Sequence, residues 1–386
     1  MTIVMIGQKG LPARSGGIER HVETLARGLV SRGHRVVVFG RAWYVGGALA
    51  PYGVEQIITK GIRTKHLDAI THGLTALWRA RSLKPSIVHL HGTGIALLTP
   101  FARLLMPKAK VVVTFHCIDR VLAKWNGFAK LAFHIGEWFA CQASHRTIAV
   151  SETLARYCLE TYGTQTAYVS HPIPEPEAVT DTGALMANGL QKDRYFLFVG
   201  RLIPDKQAHV LVEAYAQARK ARPDLMADRP LVLVGGASWT DRYAKWLCGL
   251  AARTPGVIML GEKSGRELTA LQAQALAHVF PTASEGLSLA VVEACQFRRA
   301  IIATDIPGNR EATGGHMKSV PLRDVNALAE AMIDMAGQSV TQRLEMGSRA
   351  HAYVARVHHV EDRLDDMVRV YQTTLNGHTE LVTQYA

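Results

Sequence analysis

Two carboxylates, Glu285 and Glu293, enclose Gly286-Leu287-Ser288-Leu289-Ala290-Val291-Val292, and this is the segment best equipped for chemistry. The apolar run Ala277-His278-Val279-Phe280 precedes it and Ala300-Ile301-Ile302-Ala303 follows, so it reads as strand, glycine loop, helix, strand. The first amides of such a helix, about Leu289 and Ala290, lack intrahelical acceptors and carry the positive end of the dipole, which suits a phosphate. Gly286 allows close backbone approach, and Leu287 and Ser288 are expected to bind the donor with it. Glu285 before the helix and Glu293 about one turn into it would flank that phosphate and hold ribose or sugar hydroxyls. The plain alternative is a buried strand-helix unit carrying two solvated glutamates.

Other strand ends carry further candidates. Val199 leads into Gly200-Arg201-Leu202-Ile203-Pro204-Asp205-Lys206, where two cations in one loop suit a departing diphosphate, or else a salt bridge with Asp205. Leu260-Gly261-Glu262 offers backbone groups to a nucleobase. After the first strand, Gly7-Gln8-Lys9-Gly10 through Arg14-Ser15-Gly16-Gly17 matches neither the dinucleotide fingerprint nor a P-loop, but Gly16 and Gly17 let amides reach a phosphate and Gln8, Lys9 and Arg14 add donors. Thr114-Phe115-His116-Cys117-Ile118-Asp119 puts a histidine and an aspartate at a strand end, catalytic or merely hydrogen-bonding. His89 and His91 close another strand; with no third ligand at metal spacing they read as pocket lining or core.

The elements that position these groups alternate. Residues 3–6, 35–39, 86–90, 110–114 and 146–150 form β-rich runs in the first half, and 195–199, 230–234, 256–260, 279–280 and 300–303 in the second, with helical stretches between. Short strands apolar on both faces imply an α/β fold with parallel sheets covered by helices. The proline-rich segment His171-Pro172-Ile173-Pro174-Glu175-Pro176 reads as a linker between two Rossmann-like domains, 1–172 and 173–357, with a ligand cleft between them.

Composition narrows the classes. The 386 residues suffice for two domains. Residues 1–172 hold 21 Lys+Arg against 8 Asp+Glu, or +13, while 173–386 hold 23 against 24, or −1, so the excess charge lies in the first half. That fits a domain meeting phospholipid headgroups or a lipid-linked phosphate. The basic residues are scattered without a nucleic-acid-binding motif, so no nucleic-acid partner is expected. Five cysteines without Cys-x-x-Cys spacing read as reduced thiols, and the chain shows neither a signal peptide nor a membrane-spanning run, so a cytoplasmic protein is expected. Lys124-Trp125-Asn126-Gly127-Phe128 through Phe133, and Ala76-Leu77-Trp78-Arg79-Ala80-Arg81, interleave bases with aromatics. These segments would seat the protein peripherally on an anionic inner leaflet, unless Trp125 and Phe128 face a core.

Taken together the motifs resemble retaining glycosyltransferases of the glycogen-synthase-like GT-B type, family 4, over nearly the whole chain. The residues that carry the likeness are Ile6-Gly7-Gln8-Lys9-Gly10, Ser15-Gly16-Gly17-Ile18-Glu19, Val199-Gly200-Arg201 with Lys206, Glu285 and Glu293, and Thr304-Asp305-Ile306-Pro307-Gly308-Asn309. The resemblance implies that Arg201 and Lys206 bind the donor diphosphate, Glu293 the ribose, and that Glu285 and His116 lie near the transferred sugar. It also implies Gly16 and Gly17 near the phosphates and a last helix, about 358–386, crossing back onto the first domain. Lys9, Arg14 and Asp119 are candidates for the acceptor.

The implied activity is retaining, metal-independent transfer from a UDP- or GDP-sugar to a glycan or lipid-linked acceptor in polysaccharide or glycolipid assembly, with no cofactor. No Asp-x-Asp motif follows a strand. Departures from the family pattern are Ser170-His171-Pro172 in the linker, Cys117 after the histidine, and Arg298 where glycine is frequent. An epimerase or phosphorylase of similar architecture, or a silent nucleotide-sugar binder, remains as an alternative.

Overall fold

The computed structural model describes residues 1–14, 16–48, 50–64, 67–122, 125–177, 183–237 and 241–377. Ser15, Lys124 and the segment 378–386 of the expected last helix lie outside the described residues. The chain divides into two compact units, Met1–Pro174 with His358–Ala386, and Glu175–Val357.

In the first unit, seven strands run in parallel: β1 (Thr2–Ile6), β2 (Arg35–Arg41), β3 (Glu55–Thr59), β4 (Ile87–His91), β5 (Lys110–Phe115), β6 (Arg146–Ala149) and β7 (Ala167–Tyr168). Their order is β3-β2-β1-β4-β5-β6-β7. The central strands are buried on both faces because helices cover both, which is why β1 and β5 read as apolar runs and why β4 buries even His89 and His91.

The second unit repeats the winding with six strands: β8 (Phe196–Val199), β9 (Leu231–Val234), β10 (Val257–Gly261), β11 (Ala277–Phe280), β12 (Ala300–Thr304) and β13 (Lys318–Val320), in the order β10-β9-β8-β11-β12-β13. Each sheet therefore reverses direction once, between β1 and β4 and between β8 and β11. At such a switch point the adjacent connections leave to opposite faces and open a crevice at the carboxyl ends of the strands. The candidate residues after β1, β4, β8 and β11 all stand at these ends.

The helix Val360–Asn376 belongs to the first unit. Leu364, Met367, Val370 and Tyr371 recur at helical spacing and are buried with Val22, Leu25, Ala26 and Leu29 of the helix Gly17–Ser31. Gly28 makes this packing tight, since any side chain there would overlap Leu364. Full burial of a large apolar side chain contributes about 1.5–3 kcal/mol, so this stripe matters more than the exposed pairs of Arg32 with Glu361 and Asp365 at its edge. Where the chain leaves the unit, the Ile173 amide donates to the His358 carbonyl (3.1 Å), and His358 Nδ1 lies 3.0 Å from the His171 carbonyl oxygen.

No helix among the described residues is long and apolar enough to cross a membrane.

Candidate active site

The loops on either side of the β8/β11 switch point are bound to each other. After β8 the chain passes exposed Arg201 and makes a short turn, Pro204–Lys206. The Asp205 carbonyl accepts from the Ala283 amide (2.8 Å) and from Thr282 Oγ1 (3.2 Å). Lys206 Nζ donates to Glu285 Oε1, and Thr282 Oγ1 lies 3.4 Å from the same oxygen. The pair is largely shielded, with side-chain exposures of 16% and 17%.

Beyond Glu285, buried Gly286, Leu287 and Ser288 lead into the helix Leu289–Cys295. Its first bonds run from the Val291 and Val292 amides to the Ser288 carbonyl (3.0 Å each), which leaves the Leu289 and Ala290 amides ahead of the hydrogen-bonded ladder. Ser288 Oγ is buried with no hydrogen-bond partner among the described residues. Glu293 is half-buried within the helix. Leu260 occupies an irregularity of β10, where the register against β9 shifts between Met259 and Gly261. A bulge of this kind takes a peptide out of the ladder and frees it for other partners.

In the first unit, the β1 end, the β4 end and the turn after β5 converge. Gly7 (φ +127°) has no room for a side chain, because one would press on the backbone of His91. Gln8 is buried and its amide donates to the carbonyls of Met5 (3.1 Å) and Phe39 (3.0 Å), so it ties β1 to β2 and is not the phosphate donor its sequence position suggested. Gly16 and Gly17 stand at the start of the helix Gly17–Ser31, with Gly16 at the N-cap. Lys9 lies 3.6 Å from Glu19 Oε1. Arg14 is engaged within its own unit: its amide donates to Tyr44 Oη (2.7 Å) and its guanidinium to the Val45 carbonyl (3.0 Å). Asp119 accepts from Thr93 Oγ1 (3.0 Å). Next to it, Arg120, Tyr157 and Tyr162 all donate to Oε2 of fully buried Glu137.

His116 is buried beside His91, Nε2 to Nδ1 at 3.4 Å, and the His21 ring centroid lies 5.0 Å from its own. Burial, reinforced by His21 and His89, holds His116 well below the ordinary histidine pKa, so it is a neutral imidazole at pH 7. Burial also lowers His21 to about 4 and His91 well below its usual value. His91, read from the sequence as pocket lining or core, stands in the fold beside two further histidines. His21 and His116 come from other elements, a grouping invisible to linear spacing.

Two family models match in succession, one to each unit. "Glycosyltransferase Family 4" covers residues 15–173 and "Glycosyl transferases group 1" covers residues 193–338. The chain belongs to glycosyltransferase family 4. The transferase is 26% identical over 385 residues to a D-inositol 3-phosphate glycosyltransferase of Stackebrandtia nassauensis, covering 91% of this chain and 86% of that one. It is 24% identical to an O-antigen chain mannosyltransferase C of Escherichia coli, over 98% of this chain and 100% of the relative. Its GT-B architecture is shared with sucrose-phosphate synthase of Thermosynechococcus elongatus (TM-score 0.82, 18% identity, 97% and 99% coverage). The Anabaena protein HepE, solved with UDP-glucose, is similar in the same way (TM-score 0.79, 16% identity, 97% and 100% coverage).

The transferase also contains supporting residues whose role the sequence left unread. Thr304 Oγ1 donates to the Thr282 carbonyl (2.5 Å), and Asn309 Nδ2 donates to the Thr304 carbonyl (3.0 Å) and hydroxyl (3.1 Å). A Cβ on Gly308 would stand 2.6 Å from the Glu285 carbonyl oxygen. The Thr304–Asn309 motif thus braces the Glu285 loop from beneath. The motif was legible as a motif, but its partner is remote in sequence.

Proposed function

We propose that the chain transfers a sugar from a nucleoside-diphosphate sugar, UDP- or GDP-linked, to a glycan or lipid-linked acceptor, with retention of anomeric configuration, in polysaccharide or glycolipid assembly. The observation that carries this reading is the Lys206–Glu285 pair at the β8/β11 switch point, with Arg201 exposed on the same loop. As the anomeric bond breaks, negative charge grows on the leaving diphosphate and positive charge on the sugar ring. Arg201, Lys206 and the amides at Leu289 and Ala290 stabilise the first, and the Glu285 carboxylate the second. In this reading the diphosphate needs no metal ion. Glu293 holds the ribose, the Leu260 backbone meets the base, and His116 contacts the transferred sugar. Lys9, Arg14 and Asp119 remain candidates for the acceptor.

Named relatives support the acceptor class, since they include a phosphatidyl-myo-inositol mannosyltransferase as well as the O-antigen enzyme. A peripheral seat on the inner face of the membrane is proposed from the first unit. On the helix Gly127–Gln142, Phe128, Leu131, Ile135 and Trp138 fall on one stripe and all are exposed, Phe128 by 82%. Trp125 is half-buried and tilts against Phe133 at 5.0 Å, whereas Phe128 does not face a core. Trp78 is likewise exposed, under Arg81 at 4.6 Å.

Calorimetric titration with UDP, GDP, dTDP and ADP, before and after chelation of metal, tests the donor site. One nucleoside diphosphate should bind, unaffected by the chelator, and the Arg201→Ala/Lys206→Ala double variant should lose it. Binding unchanged in that variant would remove the assignment.

A further inference from the structure

We propose that His21, His91 and His116 form a binding site for a divalent transition-metal ion, Zn2+ by the chemistry of its donors. All three side chains are buried, and one ring nitrogen from each lies within 4.8 Å of the others. The His91 Nδ1 to His116 Nε2 separation is 3.4 Å. Two imidazoles bound tetrahedrally to Zn2+ at about 2.0–2.1 Å stand about 3.4 Å apart, so this edge of the polyhedron is already set. The third ring nitrogen lies within 4.8 Å of the other two, so it closes on the ion by a movement of up to about 1.4 Å.

The hydrogen bonding sorts ligands from bystanders. His89 lies against His91, ring centroids 4.0 Å apart and tilted by 33°, but its nitrogens are taken by Tyr371 Oη (2.7 Å) and Thr114 Oγ1 (2.6 Å), so it has none to give. His21 buries an Nε2 with no hydrogen-bond partner among the described residues, whereas the His91 nitrogen that faces His116 is Nδ1. A buried nitrogen left unpaired is costly, and an ion would satisfy the one on His21. His21 Nδ1 meets His171 Nδ1 at 2.8 Å. A ligating imidazole commonly has its second nitrogen held in this way, which fixes ring and tautomer.

Three imidazoles without thiolate or carboxylate suit Zn2+ and its first-row neighbours over Mg2+ or Ca2+. The ligands come from the helix after β1, from the end of β4 and from the turn after β5, so an ion would tie three elements at the switch point of the first unit. All three ligands belong to the first unit, and an ion held through His116 Nε2 would leave only Nδ1 of that ring for a sugar.

The test is titration of chelator-treated full-length protein with Zn2+ by calorimetry and with Co2+ by visible absorption. One equivalent of Zn2+ should bind, Co2+ should give the intense d–d bands of a four-coordinate site, and Zn2+ should raise the thermal midpoint. His21→Gln and His91→Gln, checked for folding by circular dichroism, should lose all three responses, while His134→Gln on the exposed helix surface retains them. Failure of the wild-type protein to bind an equivalent of Zn2+, or weak six-coordinate Co2+ spectra, would overturn the site without reference to any variant. So would Zn2+ binding that persists in His21→Gln and His91→Gln, because it would then belong to other histidines.

Discussion

Lys206 and Glu285 meet across the switch point of the second sheet, the ammonium donating to Oε1, with both side chains mostly shielded from water. One carboxylate thus holds a cation that a diphosphate would also claim. Replacing Glu285 by Gln frees Lys206, so nucleoside diphosphate should bind a few-fold tighter while sugar transfer falls by at least about 100-fold. Lys206→Ala should weaken diphosphate binding by about 10- to 100-fold, the value of a charge-assisted bond of about 1.5–3 kcal/mol. Calorimetry and initial rates on both variants check the pair; parallel losses of binding in both would contradict the competition.

Gly308→Ala should disturb the Glu285 loop from below, since the added methyl meets the Glu285 carbonyl. Overpacking of this kind costs about 1–3 kcal/mol. The expected result is a kcat reduced about 10- to 100-fold with donor affinity changed less than fivefold. A variant with wild-type kcat would show that the loop relaxes freely.

Acid should destabilise the protein through its buried histidines. His21, His72, His278 and His358 are lowered to about 4 and His89 to about 3, all chiefly by burial. Below pH 6.5 the unfolded chain takes up protons that the folded chain refuses, so stability is full above that pH and falls as pH drops toward 4. Each such histidine contributes a slope of up to about 1.4 kcal/mol per pH unit. Urea midpoints measured from pH 7.5 to 4.5 should fall steeply below pH 6.5, and less steeply for His278→Gln; a flat profile would show the burial to be misassigned.

Glu137 anchors Arg120, Tyr157 and Tyr162 behind the Asp119 turn, so removing its carboxylate strands three donors. Glu137→Ala should cost about 2–4 kcal/mol and Glu137→Gln less, since an amide oxygen still accepts. Chemical denaturation compares the two.

The exposed stripe on Gly127–Gln142 predicts sedimentation with anionic vesicles. Phe128→Ser/Trp138→Ser should reduce that binding at least about tenfold with no change in donor affinity. Equal affinity of the wild-type protein for neutral and anionic vesicles, or none for either, would remove the membrane seat.

The sequence by itself determined the elements whose pattern is local. The central strands announce themselves because both faces are covered, and the glycine loops at Gly16, Gly200 and Gly286 mark where strands pass into helices. It did not reveal β3, β7 or β13, which are edge strands of their sheets, short or only partly buried, and so lack an apolar run. It could not show that Gln8 is spent on Phe39, that Asn309 supports Thr282 through Thr304, or that four histidines from separate elements form one cluster. These meetings depend on strand order and register. Both are decided by how the helices pack on the sheets, and residues remote along the chain share no local pattern that could announce them.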